Sequence, residues 1–246
     1  MIDLHCHILP WLDDGPKTLD ESLAMARAAV EDGITHILCT PHYNRLYHND
    51  APVVIEAVEK MQEILDQENI PLTLFEGQEI RIHEELVKDY EQGLLLGADM
   101  ADRYLMIEFA SSTLPTYVDQ VLYSFCQSDV TPVIVHPERY DFVAENPNKL
   151  IEYIDMGCLL QVTAPSLVGI YGKEKKVLAL QLISHGFVHM IASDAHALNL
   201  RGFHMKKAMK VIEKTFDQTV VDYFDQVSRA LINGEPVKRN NYRPFS

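Results

Sequence analysis

The sequence predicts an α/β fold built on a parallel sheet, and three observations carry that expectation. Short apolar runs of strand length alternate with helical patterns along all 246 residues. No Gly/Ser/Pro-rich linker, fixed-period repeat or low-complexity segment interrupts the alternation, so residues 1–246 are expected to form one domain, a length that α/β barrels commonly fill as one unit. Polar residues able to bind metal recur where the strands should end, which is where ligands gather in parallel sheets.

Ile2 to His5 reads as the first strand, followed by a polar loop through Pro16. A helix starts at Thr18, where Thr-Leu-Asp-Glu forms a capping box with Glu21, and it runs through an Ala-rich stretch to about Asp32 before Gly33 ends it. Thr35 to Cys39 is the second strand and Pro52 to Gln67 the next helix. Leu72 to Glu76 is the third strand, with a helix after His83. Leu105 to Phe109, Pro132 to Val135, Leu159 to Val162 and Val188 to Ala192 complete seven strands, each followed by a helical pattern. Asn146-Pro147 opens one of those helices as cap and first-turn proline. The polar, basic end, about residues 237–246, reads as a frayed tail.

Composition narrows the function. Hydrophobic content of 47% and charged content of 23% are ordinary for a globular protein. No apolar run approaches the roughly 20 residues of a membrane span, and the first residues lack the basic-then-apolar pattern of a secretory signal, so a cytoplasmic location is expected. Cys6, Cys39, Cys126 and Cys158 are scattered without a Cys-x-x-Cys pair, which disfavours a disulfide framework and a thiolate zinc site. A formal net charge of −15 argues against a nucleic-acid partner. An anionic substrate would need local compensation, which bound divalent cations supply.

The chemistry sits at the strand ends. His5-Cys6-His7 places two histidines on one face of a strand, with Cys6 turned away. The loop beyond holds Asp13-Asp14-Gly15, which taken alone is an ordinary turn. The second strand runs into Thr40-Pro41-His42, the third into Gly77-Gln78-Glu79, and the fourth carries Glu108 within an apolar run, where an unpaired carboxylate is costly and should meet a cation. The fifth ends in His136-Pro137-Glu138-Arg139 and the last in Ser193-Asp194-Ala195-His196. His5, His7, Asp14, His42, Glu79, Glu108, His136, Asp194 and His196 are therefore candidate ligands. They are more than one or two ions need if positions stay open for water and substrate. Three divalent ions fit, with one carboxylate bridging. Imidazole and carboxylate donors without thiolate suit manganese, iron or zinc. Such ions lower the pKa of bound water and hold phosphate oxygens, and Arg139 and Arg201 are placed to clamp a phosphoryl group.

Taken in order, these motifs resemble the polymerase-and-histidinol-phosphatase (PHP) superfamily over residues 1 to about 205. Met-Ile-Asp-Leu-His-Cys-His-Ile-Leu-Pro with Asp-Asp-Gly-Pro is similar, more narrowly, to its manganese-dependent protein-tyrosine phosphatases, encoded with capsule and exopolysaccharide genes of Gram-positive bacteria. The resemblance implies a distorted (β/α)7 barrel and three metal ions, manganese first. One ion would take His5, His7, Glu79 and Asp194; the second Glu79, Glu108 and His136; the third Asp14, His42 and His196. Arg139 and Arg201 match the family's phosphate-binding arginines. The implied substrate is the phosphotyrosine cluster at the C-terminus of a membrane-associated bacterial tyrosine autokinase. Family members can assemble into oligomers, so the resemblance allows an oligomer here.

Three rival readings follow from the same residues. Cys39 and Arg45 have the Cys-x5-Arg spacing of thiol-based tyrosine phosphatases, but Pro41 removes a loop N–H and the loop has no glycine. A small phosphomonoester such as histidinol phosphate would use the same metals, and a metal-bound scaffold would use them without catalysis. His36, His48, His83, His185, His189 and His204 read as ordinary surface or satisfied histidines, and Trp11 as a loop anchor or a border of the substrate entrance.

Overall fold

The computed structural model describes residues 1–112, 114–199 and 201–246. In chain order the elements are β1 (Ile2–Cys6), α1 (Leu19–Glu31), β2 (His36–Cys39), β3 (His42–Tyr43), α2 (Ala51–Gln67), β4 (Thr73–Glu76), β5 (Glu79–Arg81) and α3 (Leu86–Glu91). Then come β6 (Tyr104–Glu108), α4 (Val118–Gln127), β7 (Thr131–Val135), α5 (Asp141–Glu145), α6 (Leu150–Met156), β8 (Leu159–Thr163), α7 (Ala164–Val168), α8 (Lys173–Ser184), β9 (Met190–Ala192), α9 (Met205–Thr215) and α10 (Gln218–Ile232). All ladders are parallel. The seven expected strands are all present, two of them broken. β2 stops before Pro41, which has no N–H to give a ladder, and resumes as β3; β4 resumes as β5 after Gly77.

Those breaks divide the strands into a sheet of order β1-β2-β4 and one of order β3-β5-β6-β7-β8-β9. The ends meet where Asp194 N–H donates to His5 O and His7 N–H to Ala195 O, both at 2.8 Å, beside a parallel bridge between Cys6 and Ala195. This is the distorted ring of seven strand runs that the resemblance implies. Its lower interior holds Leu4, Leu38, Met106, Val133, Leu159 and Met190, with Val227 and Leu231 of α10 beneath them. A larger apolar layer separates the strands from the surrounding helices.

Local signals explain the elements. Thr18 caps α1 by accepting from Glu21 N–H at 3.2 Å. Glu21 returns its carboxylate to Lys17 N–H, one residue earlier than a capping box requires. Between the pairs Asp3–Ile37 and Cys6–Cys39, β1 has one residue more than β2, a bulge of the kind that re-aims side chains near sites.

The C-terminal stretch departs from the sequence reading, because it docks instead of fraying. Arg239 Nη2 donates to Gly157 O and Arg243 Nη2 to Ser184 O, placing cations on the carbonyl ends of α6 and α8. Phe245 stacks on His185 at 3.8 Å and exchanges two hydrogen bonds with Asn148. Gly186 makes the approach feasible: a Cβ there would stand 2.6 Å from Asn241 O, and its φ is +78°. Gly157, His185 and Gly186 lead into β8 and β9, so most of these contacts lie at the N-terminal ends of the strands, opposite the candidate ligands.

Candidate metal centre

All nine candidate ligands converge at the C-terminal ends of the strands. Donor atoms of eight of them form three groups, each within 4.8 Å: His5, His7, Glu79 and Asp194; His7, Asp14, His42 and His196; and His42, Glu79 and Glu108. The first group is the set the resemblance implies for one ion. In the other two, His7 and His42 each join a neighbouring group. His136 lies with Glu79 and Glu108, its Nε2 at 2.7 Å from Glu79 Oε1 and 3.9 Å from Glu108 Oε1. Glu79 is the hub, with Oε2 at 3.4, 3.2 and 3.0 Å from nitrogens of His5, His7 and His42.

Whether these donors suit a cation is decided by the histidine tautomers. His5 Nδ1 lies 3.0 Å from Gln161 Oε1, an acceptor, so in the neutral ring a ligand requires Nδ1 carries the proton and Nε2 the lone pair. His7 Nδ1 lies 2.6 Å from Asp13 Oδ2, with the same consequence. The two ε-nitrogens then face each other at 3.3 Å. Glu79 and Asp194 contribute further oxygens at 3.2–3.5 Å. Donors about 2.1 Å from one ion lie roughly 3.0–3.4 Å apart, which is this spacing. His196 repeats the device by donating Nδ1–H to Asp194 O, and its buried Nε2 makes no hydrogen bond; neither does Asp194 Oδ1. The residues fit divalent ions.

Charge points the same way. Burial disfavours charged forms of His7 and His42, yet Asp13 raises the pKa of His7 to about 9, and Glu79 with Asp14 raises that of His42 to about 11. Glu108 is raised to about 7 by burial and by its neighbour Glu79. Glu79 and Asp194 are held well below the usual carboxylate range, against the effect of burial, chiefly by His5. A cluster of buried carboxylates with this pull on protons is built around positive charge.

The centre opens into a cavity of about 430 Å³ edged by Arg81, Arg139 and Arg201. Arg139 pairs with Asp194, and Arg201 Nη1 lies 2.7 Å from Asp14 Oδ2. Both expected arginines therefore stand at the mouth, tied to candidate ligands. Arg81, which sequence reasoning left without a role, places Nη2 2.7 Å from Glu108 Oε2 and donates Nη1–H to Phe109 O at 3.1 Å. Its spacing of two from Glu79 on a strand was the available signal.

Three further buried polar residues were missed. Asp13, read as part of a turn, is only 3% exposed and also accepts from His42 N–H and Gly15 N–H. A Cβ on Gly15 would stand 2.5 Å from His7 O, so glycine is required there. Gln161 lies within the apolar run of β8. Asp3 binds Ser193 through N–H at 2.8 Å and Oγ at 2.5 Å, holding the turn in which Asp194 adopts φ +52°.

Cys39 is fully buried in β2, and burial followed by Glu76 and Asp3 pushes its thiol far up. Arg45 is exposed in a loop, so the Cys-x5-Arg spacing builds no anion cradle. Trp11 is 66% exposed and anchors nothing. His204 Nε2 is buried without a partner and belongs to none of the three groups.

The family model described as capsular polysaccharide synthesis, CpsB/CapC, matches residues 1–231. The tyrosine-protein phosphatase YwqE of Bacillus subtilis (strain 168) is 38% identical over 245 residues, covering 99% of this chain and 96% of the relative. The tyrosine-protein phosphatase CpsB of Streptococcus pneumoniae is 30% identical over 222 residues, covering 88% and 91%. A crystal structure from work on these two proteins, described as unique metal-dependent tyrosine phosphatases, superposes with a TM-score of 0.97 at 38% identity over 100% of both chains. An organophosphorus hydrolase from Deinococcus radiodurans, 12% identical, shares the fold with a TM-score of 0.55 over 94% of this chain and 92% of that one.

Proposed function

The chain belongs to the CpsB/CapC family of capsular polysaccharide synthesis, and from that premise we propose that it is a metal-dependent protein-tyrosine phosphatase. The observation that carries the reading is the pair of Nε2 atoms of His5 and His7, 3.3 Å apart between two buried carboxylates, with both Nδ1 atoms held by acceptors. The ligands in this proposal are His5, His7, Asp14, His42, Glu79, Glu108, His136, Asp194 and His196, holding three divalent ions. Manganese is the first choice, and the same donors accept iron or zinc. Bound ions of this kind supply Lewis-acid charge and acidify water at neutral pH.

The protein's own groups do the rest. Gln161 and Asp13 keep the Nδ1 protons of His5 and His7 in place, so the ε-nitrogens stay aimed inward. Arg139 and Arg201 exchange Asp194 and Asp14 for phosphoryl oxygens and spread the charge that grows there. Arg81 steadies Glu108 at the cavity edge. A phenolate leaves with a pKa near about 10, so positive charge around the phosphoryl group suffices without a dedicated acid.

The substrate in this reading is the C-terminal phosphotyrosine cluster of a membrane-associated bacterial tyrosine autokinase that controls capsule or exopolysaccharide export. The encounter takes place in the cytoplasm, and residues 1–246 act as one PHP-type domain. Among the described residues no helix is long and apolar enough to cross a membrane.

The test is hydrolysis of a phosphotyrosine peptide by metal-stripped protein, with and without added manganese, alongside the metal content per chain. Activity that returns only with metal, and persists in Cys39→Ser, is expected. Equal activity in stripped protein would refute the reading.

A further inference from the structure

We propose that a groove beside the metal centre, bearing Arg45 and Tyr117, binds the polypeptide that flanks the phosphotyrosine. The inference rests on the phosphatase reading and deepens it. The groove has a volume of about 810 Å³ and lies between the loop after β3 and the segment after β6. Asn44, Leu46 and Arg81 line both this groove and the metal cavity, so the two spaces adjoin. Leu46 is 84% exposed at their junction and offers apolar surface to a chain crossing from one to the other.

The occupant follows from this adjacency and from the lining. A substrate whose phosphate sits among Arg81, Arg139 and Arg201 must send the rest of its chain outward, and the groove shares Arg81. Its apolar lining comes from Ile82, Ala110, Pro115 and Tyr117, which suits a side chain near the phosphotyrosine. Its charged residues have both signs. Glu84 and Glu85 are exposed, and so is Arg45, which pairs with no carboxylate among the described residues. A space of this size takes a drug-sized ligand, which is about two or three peptide residues. A small aryl phosphate fills only the metal cavity and gains nothing from the groove. Binding energy from the groove therefore goes to peptides alone.

Steady-state kinetics of metal-loaded protein test this with two substrates, a phosphotyrosine peptide carrying several residues on each side and para-nitrophenyl phosphate. In Arg45→Ala and Tyr117→Ala, kcat/KM on the peptide should fall about tenfold, mainly through KM, while turnover of the aryl phosphate stays within about twofold. The second substrate also reports that each variant is folded and loaded. Trimming the peptide to free phosphotyrosine should erase the difference between variants and wild type. Equal losses on both substrates, or no loss on the peptide, would overturn the groove. Wild-type protein that is loaded with metal yet hydrolyses neither substrate would overturn the phosphatase reading and this inference with it.

Discussion

Replacing Asp13 with asparagine changes one atom in the loop after β1 and should loosen the protein's hold on metal. The carboxylate faces three N–H donors: His7 Nδ1 at 2.6 Å and His42 N at 3.0 Å on Oδ2, and Gly15 N at 2.8 Å on Oδ1. Asparagine has a single oxygen, so its amide must point an N–H at one or two of these donors. Aimed at Gly15, it opens the turn beside Asp14. Aimed at His7, it moves the imidazole proton to Nε2 and turns a lone pair into an N–H where the cation should sit. Losing a ligand's supporting partner weakens metal affinity about 10–100-fold, or about 1.4–2.8 kcal/mol. Competition with a fluorescent chelator reads that loss directly. Because every candidate ligand atom remains, excess metal should recover much of kcat. Affinity within twofold of wild type, with an unchanged melting curve, would refute the claim that Asp13 sets the His7 tautomer.

Asp3→Asn, by contrast, should keep wild-type metal affinity and activity, whereas Asp3→Leu should lose both; the same chelator competition separates them. Burial pushes His189 down to about 3, and its Nδ1 accepts from Leu160 N–H. The unfolded chain, with a histidine pKa near about 6.5, then binds a proton the native state does not. That contribution to stability is complete above about pH 6.5 and is lost as pH falls, by about 2 kcal/mol at pH 5. Urea melts of His189→Asn should show this slope removed, and parallel wild-type and variant profiles would contradict it. Deleting Arg239–Ser246 should remove about 2 kcal/mol of aromatic packing and capping, lowering Tm by about 4–8 °C. It should leave kcat/KM unchanged, because the docked tail lies across the strand starts; a drop in kcat/KM at equal folded fraction would count against that placement.

What was legible in the sequence is what local pattern encodes. Strand runs, their helices and the candidate ligands at strand ends are written in spacing over a few residues, and the structure brings those side chains together, eight in the three donor groups and His136 against Glu79. The rest depends on partners far apart in the chain. Gln161 looks like a stray polar residue in Leu-Leu-Gln-Val-Thr until its partner, His5, arrives from 156 positions away. Asp13 matches any turn aspartate, and only the return of the chain to His7 gives it a charge to orient. The tail carried no periodic signal, since its contacts at Asn148, Asp155, Gly157 and His185 come from loops and helix ends scattered along the second half. The bulge in β1 has no sequence mark either, because it arises from register against β2.

The opposite expectations for Asp3 and Asp13 come from one physical distinction. Both carboxylates are buried, both hold a metal-directed element, and both become asparagine by the same exchange. The partners of Asp13 are fixed: an imidazole N–H and two backbone N–H groups cannot become acceptors without moving. The main partner of Asp3 is Ser193, whose backbone N–H can meet the asparagine oxygen while its hydroxyl turns round. Ser193 Oγ already accepts from Ala195 N–H at 3.0 Å and lies 3.3 Å from His5 O. It can accept a second bond from the new amide and donate its own hydrogen to His5 O, so every group already present keeps a partner and only the second N–H of the new amide is left over. The exchange also removes a buried charge that burial already strains, since the Asp3 carboxyl is pushed up to about 6. Tolerance at such sites is therefore set by whether the neighbours can rotate, more than by burial or charge, which the two positions share.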